Sequence, residues 1–505
     1  TAAHAALRTD ARAEPLDVID MVAPYPLDTA RRTSASSRFP LAETPMTRPD
    51  GLPASTWFGP EPGAARLAVD QLLRETLEAG AKKAEVFAAR TEARRLSDID
   101  GAPPSRPAVS TIDYRVCVRV WDAEGQMGEA LASGPHADEH DRGDLVARAL
   151  ASLAPARPGE TEPAPRLDVR GRGLDICDRR LPFIDDNMRR EVLESNLQAC
   201  HAVDPRVRRV RFRYEELHET SAFASTAGLS VEEQGTRFAL IGSASSATDA
   251  QPGRKVRGQL VSRNFAEVAS RPLGHQLGTR LVATLQPAEL PSTPTAVVFE
   301  QRAVAAMLPR ILAAFSAERI GSGDSFLTGR VGTRVASSEL HVVDDALRPG
   351  GMATRGFDER GVAPTSVNLL KEGRAAGLYQ GPAAARMADA RPSGHERSDG
   401  SIWPGNLVVR PGSRSRNMLF PDLGTFVIID EIVDSASIDP ASGTIDVGVL
   451  AFVADASGPH GCAGVHRLRC TVDELLGGVK KVCSDQERHG IVDTATWIVN
   501  GIWLS

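Results

Sequence analysis

At 505 residues the chain is about three times the ~150 residues of one typical domain, so two to four domains are expected. Hydrophobic residues at 42% and charged residues at 25% exclude a wholly disordered, collagen-like or coiled-coil chain. A net charge of -6 gives no general attraction to nucleic acid, although 53 of the 59 basic residues are Arg.

Residues 1–62 carry Pro24, Pro26, Pro40, Pro45, Pro49, Pro53, Pro60 and Pro62 among Ser, Thr and Arg, and hold no helical or strand period. Such a stretch cannot offset its own ordering entropy, and scattered aromatics such as Trp57 and Phe58 favour an extended arm laid on another surface. Helical spacing of Leu67, Val69, Leu72, Leu73 and Leu77 predicts a helix over 63–80, followed by a short strand over 84–88. Ile112 to Val120 alternate as a strand, 124–126 turn the chain into another, and 144–153 are an amphipathic helix before the Pro- and Gly-rich linker 155–165. A similar order recurs: a helix over 185–202, strands over 207–217 and 229–240 joined by a turn at 225–228, and a helix over 273–285. Residues 63–292 therefore read as one α+β domain.

After the breaker run 287–294, residues 296–299 are a buried-type strand and 304–315 a strongly apolar helix containing Pro309. Short strands follow at 342–343, 367–370, 407–409, 426–429, 444–452 and 495–502, with one late helix over 472–482. Residues 293–505 thus read as a mostly antiparallel β domain, giving an α+β chain overall. No apolar run approaches the roughly 18–20 residues that span a bilayer, and no signal-like segment opens the sequence, so a cytoplasmic location is expected. Six scattered cysteines without a CxxC pair read as reduced, mostly buried thiols.

Motifs for chemistry are sparse. His218-Glu219 and His395-Glu396 begin a zinc-hydrolase pattern but lack the second His, and read as solvated surface histidines. His460, Cys462, His466 and Cys470 cluster within eleven residues, yet their spacing fits no zinc ribbon or finger; His466 and Cys470 would share a strand face, with Cys462 in a preceding loop. Gly321 to Ser325 follow a helix instead of opening one, which argues for a turn and against a phosphate loop. No GxSxG elbow is present, and Asp344-Asp345 and Asp358-Glu359 read as ordinary loop acids.

The run 326–337 (FLTGRVGTRVAS), Val342 to Asp345, Pro349-Gly350-Gly351 and 355–365 (RGFDERGVAPT) resembles the TldD/PmbA (TldE) family of gyrase modulators and peptide-maturation proteases. Gly377 to Tyr379, Ala385-Arg386 and 494–502 resemble that family's later elements, so the likeness runs from about 63 to 505. The resemblance implies a zinc-binding HExxxH helix and a later Cys in TldD-type subunits, and their absence in the TldE-type partner. Here the helix positions fall near Pro309, Arg310 and Ala314, none of which offers an imidazole or carboxylate, and Cys483 lacks its glycine-rich surroundings. The resemblance therefore implies a non-catalytic TldE-like subunit with no metal or cofactor of its own, paired with a zinc-bearing TldD-like chain. The heterodimer would enclose a cavity in which an unfolded peptide or peptide-like natural-product intermediate adds to a sheet edge. Arg355, Asp358, Asn406 and Arg410 are the candidates for lining that cavity. A stand-alone enzyme using the His460 to Cys470 cluster and a homodimeric binding protein are the alternatives. Neither nucleic acid nor membrane is an expected partner.

Overall fold

Residues 57–99, 108–134, 142–164, 173–247, 253–292, 296–434 and 437–505 are described in a computed structural model of the protein. Most of the N-terminal arm lies outside these residues; its last part, 57–62, does not, and Trp57 and Phe58 are buried there. Phe58 packs edge-on against Tyr114, with ring centroids 5.7 Å apart, and the Arg142 guanidinium stacks on Trp57.

Helix α1 (Ala64–Glu78) starts after Gly63, whose φ of 84° sets the left-handed entry, and buries Ala65, Val69 and Leu72. The chain continues through β1 (Lys83–Ile99), β2 (Val109–Trp121), β3 (Gln126–Gly134), α2 (Arg142–Ala151), β4 (Ala154–Pro155) and α3 (Asp186–His201). It then forms β5 (Arg209–Ser225), β6 (Leu229–Ser245), β7 (Lys255–Ser262), α4 (Phe265–Ser270) and α5 (Leu273–Thr284). The strands make one antiparallel sheet in the order β4-β3-β2-β1-β5-β6-β7, so the first and last paired segments are its edges. Period-2 alternation divides its faces. The even-numbered residues of β5 look toward the helices, with Ala222 and Ala224 under α1 and α2, and Val210, Phe212 and Tyr214 under α3 and α5. On the opposite face Phe87, Cys117 and Phe223 meet Phe357 from the C-terminal half. The two helices α3 and α5 approach so closely that a Cβ on Gly274 would lie 1.8 Å from the Asn196 carbonyl oxygen.

The C-terminal half comprises β8 (Val297–Phe299), α6 (Gln301–Leu312), α7 (Ala317–Ser322), β9 (Val342–Asp344), β10 (Val367–Lys371), β11 (Arg374–Ala375) and α8 (Pro382–Met387). Next come β12 (Leu407–Val409), α9 (Arg416–Leu419), β13 (Phe426–Asp434), β14 (Ile438–Asp439), β15 (Thr444–Asp455) and β16 (Gly458–Thr471). The end is α10 (Val472–Gly477), β17 (Val479–Val482), β18 (Glu487–His489), β19 (Val492–Thr494) and β20 (Trp497–Val499). Two sheets result, β11-β10-β9-β12-β19-β18 and β14-β15-β13-β8-β20-β17, with β16 paired to β15. Only β12 with β19 and β13 with β8 run parallel among the described pairs. Helix α6 packs against both sheets, through β13 and β19. One hydrophobic core runs from Phe212 and Leu277 of the N-terminal half into Val304, Leu308, Ile429 and Trp497.

The mixed α+β architecture agrees with the sequence reading, and several elements depart from it. The helix expected over 472–482 stops at Gly477, because Gly477-Gly478 breaks it after a Thr471/Glu474 capping box and β17 takes the rest. Of the strand expected over 495–502 only β20, Trp497–Val499, forms, and β19 just before it belongs to the other sheet. Between β6 and α5 the chain adds β7 and α4, which the sequence did not announce.

Candidate functional site

Helix α6 is the place where the family resemblance puts the zinc ligands. Ten of its twelve residues are buried, among them Pro309, while Arg310 is half-buried. Ala314 follows in a buried turn of 3-10 helix. The start of the helix is tied by Gln301 Nε2 donating to the Asp485 backbone (2.9 Å) and carboxylate (3.0 Å), and by the Glu300–Arg416 ion pair beside it at 2.5 Å. Cys483 is buried next to this knot, and burial, with Asp485 adding to it, pushes its thiol up to about 12. A neutral thiol, a Pro, a half-buried Arg and an Ala are no donor set for a divalent ion, so these residues do not fit the family's zinc.

The other sequence candidates are placed differently from one another. Among the described residues no group of three or more His, Cys, Asp and Glu is arranged to hold a metal ion. His460 pairs with Asp455 at 2.7 Å, His466 Nε2 contacts the Ala463 carbonyl at 3.1 Å, and Cys462 lies within β16, not in a loop before it. His218 is half-buried in the middle of β5, and His395 is fully buried, which corrects their reading as solvated histidines. Asp344, Asp358 and Glu359 are also buried, which corrects their reading as loop acids.

His395 belongs to a serine–histidine–aspartate arrangement: Nδ1 is 3.2 Å from Ser393 Oγ and Nε2 is 3.4 Å from Asp344 Oδ1. Burial disfavours the Asp344 carboxylate, yet the His395 contact and hydrogen bonds from Tyr379 (2.8 Å) and the Gly405 amide (2.5 Å) hold it below the usual range. Ser393 Oγ is already spent on both the amide (3.0 Å) and carbonyl (3.2 Å) of Gln380. With Ser393, His395 and Asp344 all at most 4% exposed, no substrate carbonyl reaches the hydroxyl, and the cluster is a cross-link between loops.

Arg355 and Asp358 line a small recess between the N-terminal sheet and the 352–358 loop, facing Glu219, Glu233 and Arg263. Burial pushes the Asp358 carboxyl up to about 7, against the backbone amides of Val362 (2.9 Å) and Glu396 (3.0 Å) that favour its charged form. Glu233 is pushed up to about 7 by the same cause, against its bond from the Gly356 amide. Arg263 donates to the Gly351, Met352 and Thr354 carbonyls and so clamps the loop. Asn406 is consumed by bonds to Ala353, Asp345 and Thr354, each 2.9 Å, and Arg410 is exposed at the end of β12. The structure thus brings Arg355 and Asp358 together, puts Asn406 behind the same loop with its polar groups spent, and leaves Arg410 apart.

A much larger cavity, about 470 Å³, opens between β7 and α5 on one side and α6, β13 and β18 on the other. Its floor includes Ile241, Leu260, Leu273 and Leu277, and its rim carries five arginines against two glutamates. No sequence motif marked it, because its walls come from strands more than two hundred residues apart.

The architecture is a long antiparallel sheet covered on one face by helices and on the other by a two-sheet β half, with a buried helix between those sheets. Residues 292–505 match the model for the PmbA/TldA metallopeptidase C-terminal domain, so the C-terminal half carries a domain of that type. A protein named "Metalloprotease" from Methanothermobacter thermautotrophicus is 27% identical over 222 residues, 42% of this chain and 48% of that protein. The chain therefore spans about half the length of this curated relative. A putative modulator of a DNA gyrase from Thermotoga maritima superposes with a TM-score of 0.75 at 19% identity, over 86% of this chain and 99% of that one. A putative modulator of DNA gyrase from Bacteroides thetaiotaomicron gives 0.74 at 13%, over 86% and 98%. TldE from Thermococcus kodakarensis gives 0.71 at 17%, over 86% and 99%. At these identities the three structures show a shared fold.

Proposed function

We propose that the chain is the non-catalytic, TldE-like subunit of a heterodimeric zinc peptidase whose metal is held by a TldD-like partner. The observation that carries this reading is the burial of α6 between two sheets, with Pro309, Arg310 and, in the turn after it, Ala314 falling near the positions where the family resemblance puts the zinc ligands and the base. Its residues hold a wall in place; they donate no electron pair to a metal and move no proton. The fold shared with a protein named TldE supports the subunit type, and the name of the archaeal relative supports the reaction class. The substrates proposed are small or unfolded peptides, or peptide-like intermediates of natural-product maturation.

Co-expression with a TldD-like protein tests the reading, by zinc content, native mass and peptide turnover of the chain alone and of the pair. The expected result is turnover and zinc only in a one-to-one pair. Stoichiometric zinc or peptide cleavage by this chain alone would overturn it.

A further inference from the structure

The large cavity beside β7 has a shape that side-chain alternation explains. Residues 257–261 all line it, although successive side chains of a strand point to opposite faces. A cavity touched by five consecutive residues runs along the strand's edge, not over one face. The same holds opposite, where 487–490 contribute consecutively from β18. Both strands are terminal in their sheets: β7 pairs only with β6, and β18 only with β19. The cleft is therefore a channel between two sheet edges.

Which backbone groups face the channel follows from one bond. Arg280 Nη1 donates to the Arg257 carbonyl at 2.6 Å, so that carbonyl points away from β6. In an antiparallel strand the N–H and C=O of a residue point the same way and the direction alternates, so Gln259 and Val261 also present both groups outward. No described residue claims them. Gly258, facing Leu277 of α5, keeps the inner side narrow and the edge straight.

Charge defines what fits. Of the five arginines, Arg280 is held by Asp430 (2.6 Å) and Glu431 (2.9 Å), Arg302 by Asp430, and Arg488 by Asp493 (3.0 Å). Among the described residues no carboxylate lies within ion-pair distance of Arg257 or Arg271; Arg271 acts on Glu487 through its longer-range field. The channel thus offers unclaimed strand-pairing groups, an apolar floor and two uncompensated guanidinium groups.

We propose that this channel binds an extended peptide carrying acidic side chains, which adds as a strand to the outer edge of β7 and places its carboxylates on Arg257 and Arg271. About five peptide residues span the lined stretch at ~3.3 Å each. Specificity comes from the arginines, since edge pairing reads any backbone. The inference deepens the reading of this chain as a peptide-handling subunit by naming the peptide class. Its test reads binding to the chain without partner or turnover, so the two readings fail separately.

The experiment is fluorescence anisotropy of the full chain with three labelled hexapeptides that alternate Val with Glu, Gln or Lys. The Glu peptide is expected to bind at least about tenfold tighter than the Lys peptide and to weaken as salt rises from about 0.05 to 0.5 M. Arg257→Glu with Arg271→Glu should cost it about tenfold or more. Gln259→Pro, which removes one outward N–H from an edge strand, should weaken all three peptides while thermal melting is unchanged. Equal binding of the three peptides, no binding at millimolar peptide, or affinity untouched by the double charge reversal overturns the proposal. So does a self-associated chain, by sedimentation, whose dimer dissolves on the same reversal, since a second copy would then be the occupant.

Discussion

Arg360 offers a sharp perturbation of the contact between the N-terminal sheet and the C-terminal half. It is 2% exposed and joins Glu85 of β1, at 3.1 Å, to Glu396 of the 388–406 loop, at 2.8 Å. Both carboxylates are themselves at most 5% exposed. Burial works against the guanidinium, but the two carboxylates outweigh it and hold it firmly charged. Replacing Arg360 with Met keeps most of the volume and strands two buried acids, one of which, Glu85, retains a bond from the Ala164 amide (2.5 Å) while Glu396 loses its ion pair. Breaking a buried ion pair in this way costs about 3–5 kcal/mol, against about 0–1 kcal/mol for an exposed pair. The loss should be smaller at about pH 5 than at about pH 8, because protonation relieves stranded carboxylates and the native state of the variant then binds more protons than the unfolded chain. Adding Glu85→Gln and Glu396→Gln to Arg360→Met should recover much of the stability, since no charge is left without a partner. Urea unfolding at the two pH values measures each of these. A loss below about 1 kcal/mol, or one that does not change with pH, would show that water reaches the cluster and that the charges are screened.

Three further outcomes are expected. Burial pushes the Glu233 carboxyl up to about 7, above the ordinary range of a Glu, so its native state holds more protons than the unfolded chain over that interval. Stability therefore falls as pH rises through that window, and Glu233→Gln should make the chain more stable than the wild type above about pH 7.5, by on the order of 2–3 kcal/mol, and no different near pH 4, by thermal melting across pH. Gly274→Ala places a methyl 1.8 Å from the Asn196 carbonyl, so α3 and α5 must separate. The cost of about 2–3 kcal/mol should exceed the ~1 kcal/mol that Ala gains over Gly within a helix, as urea unfolding would show. Writing His at 309 and 314 and Glu at 310 should yield neither stoichiometric zinc, by elemental analysis, nor peptidase activity, because Cys483 stays a buried neutral thiol and no supporting bonds orient the new ligands.

The elements that the sequence disclosed show either a clean period or a continuous apolar run. Helices α3 and α5 show the helical period because one face is apolar and the other is not, whereas β13 and β15, buried on nearly every residue, read as unbroken apolar runs. Strand β5 was read as ending at Leu217, since Glu219, Thr220 and Ser221 are polar, but the strand runs to Ser225. Glu219 and Ser221 are polar because their face of the sheet lies against Arg-rich loops of the C-terminal half instead of an apolar layer. The same cause hid Asp344, Asp358 and His395, whose burial depends on residues up to 61 positions away along the chain, as in the bond from the Gly405 amide to Asp344. The lost zinc chemistry of α6 was legible because it rests on residue types alone. The channel was not, since β7 has Gly258 where alternation would want a side chain, and a free edge becomes a wall only when a second edge comes to face it.

The continuous core also bears on what a unit of inheritance means here. The recognisable family segment begins at 292, yet the apolar cluster passes through that point without a seam, from Leu277 and Leu281 to Val304 and Leu308. A gene fragment cut at this boundary would bare one half of a shared interior on each product. Recombination or truncation there should yield sticky, poorly soluble pieces, and selection would hold the two halves together as one inherited block even while their sequences drift at different speeds.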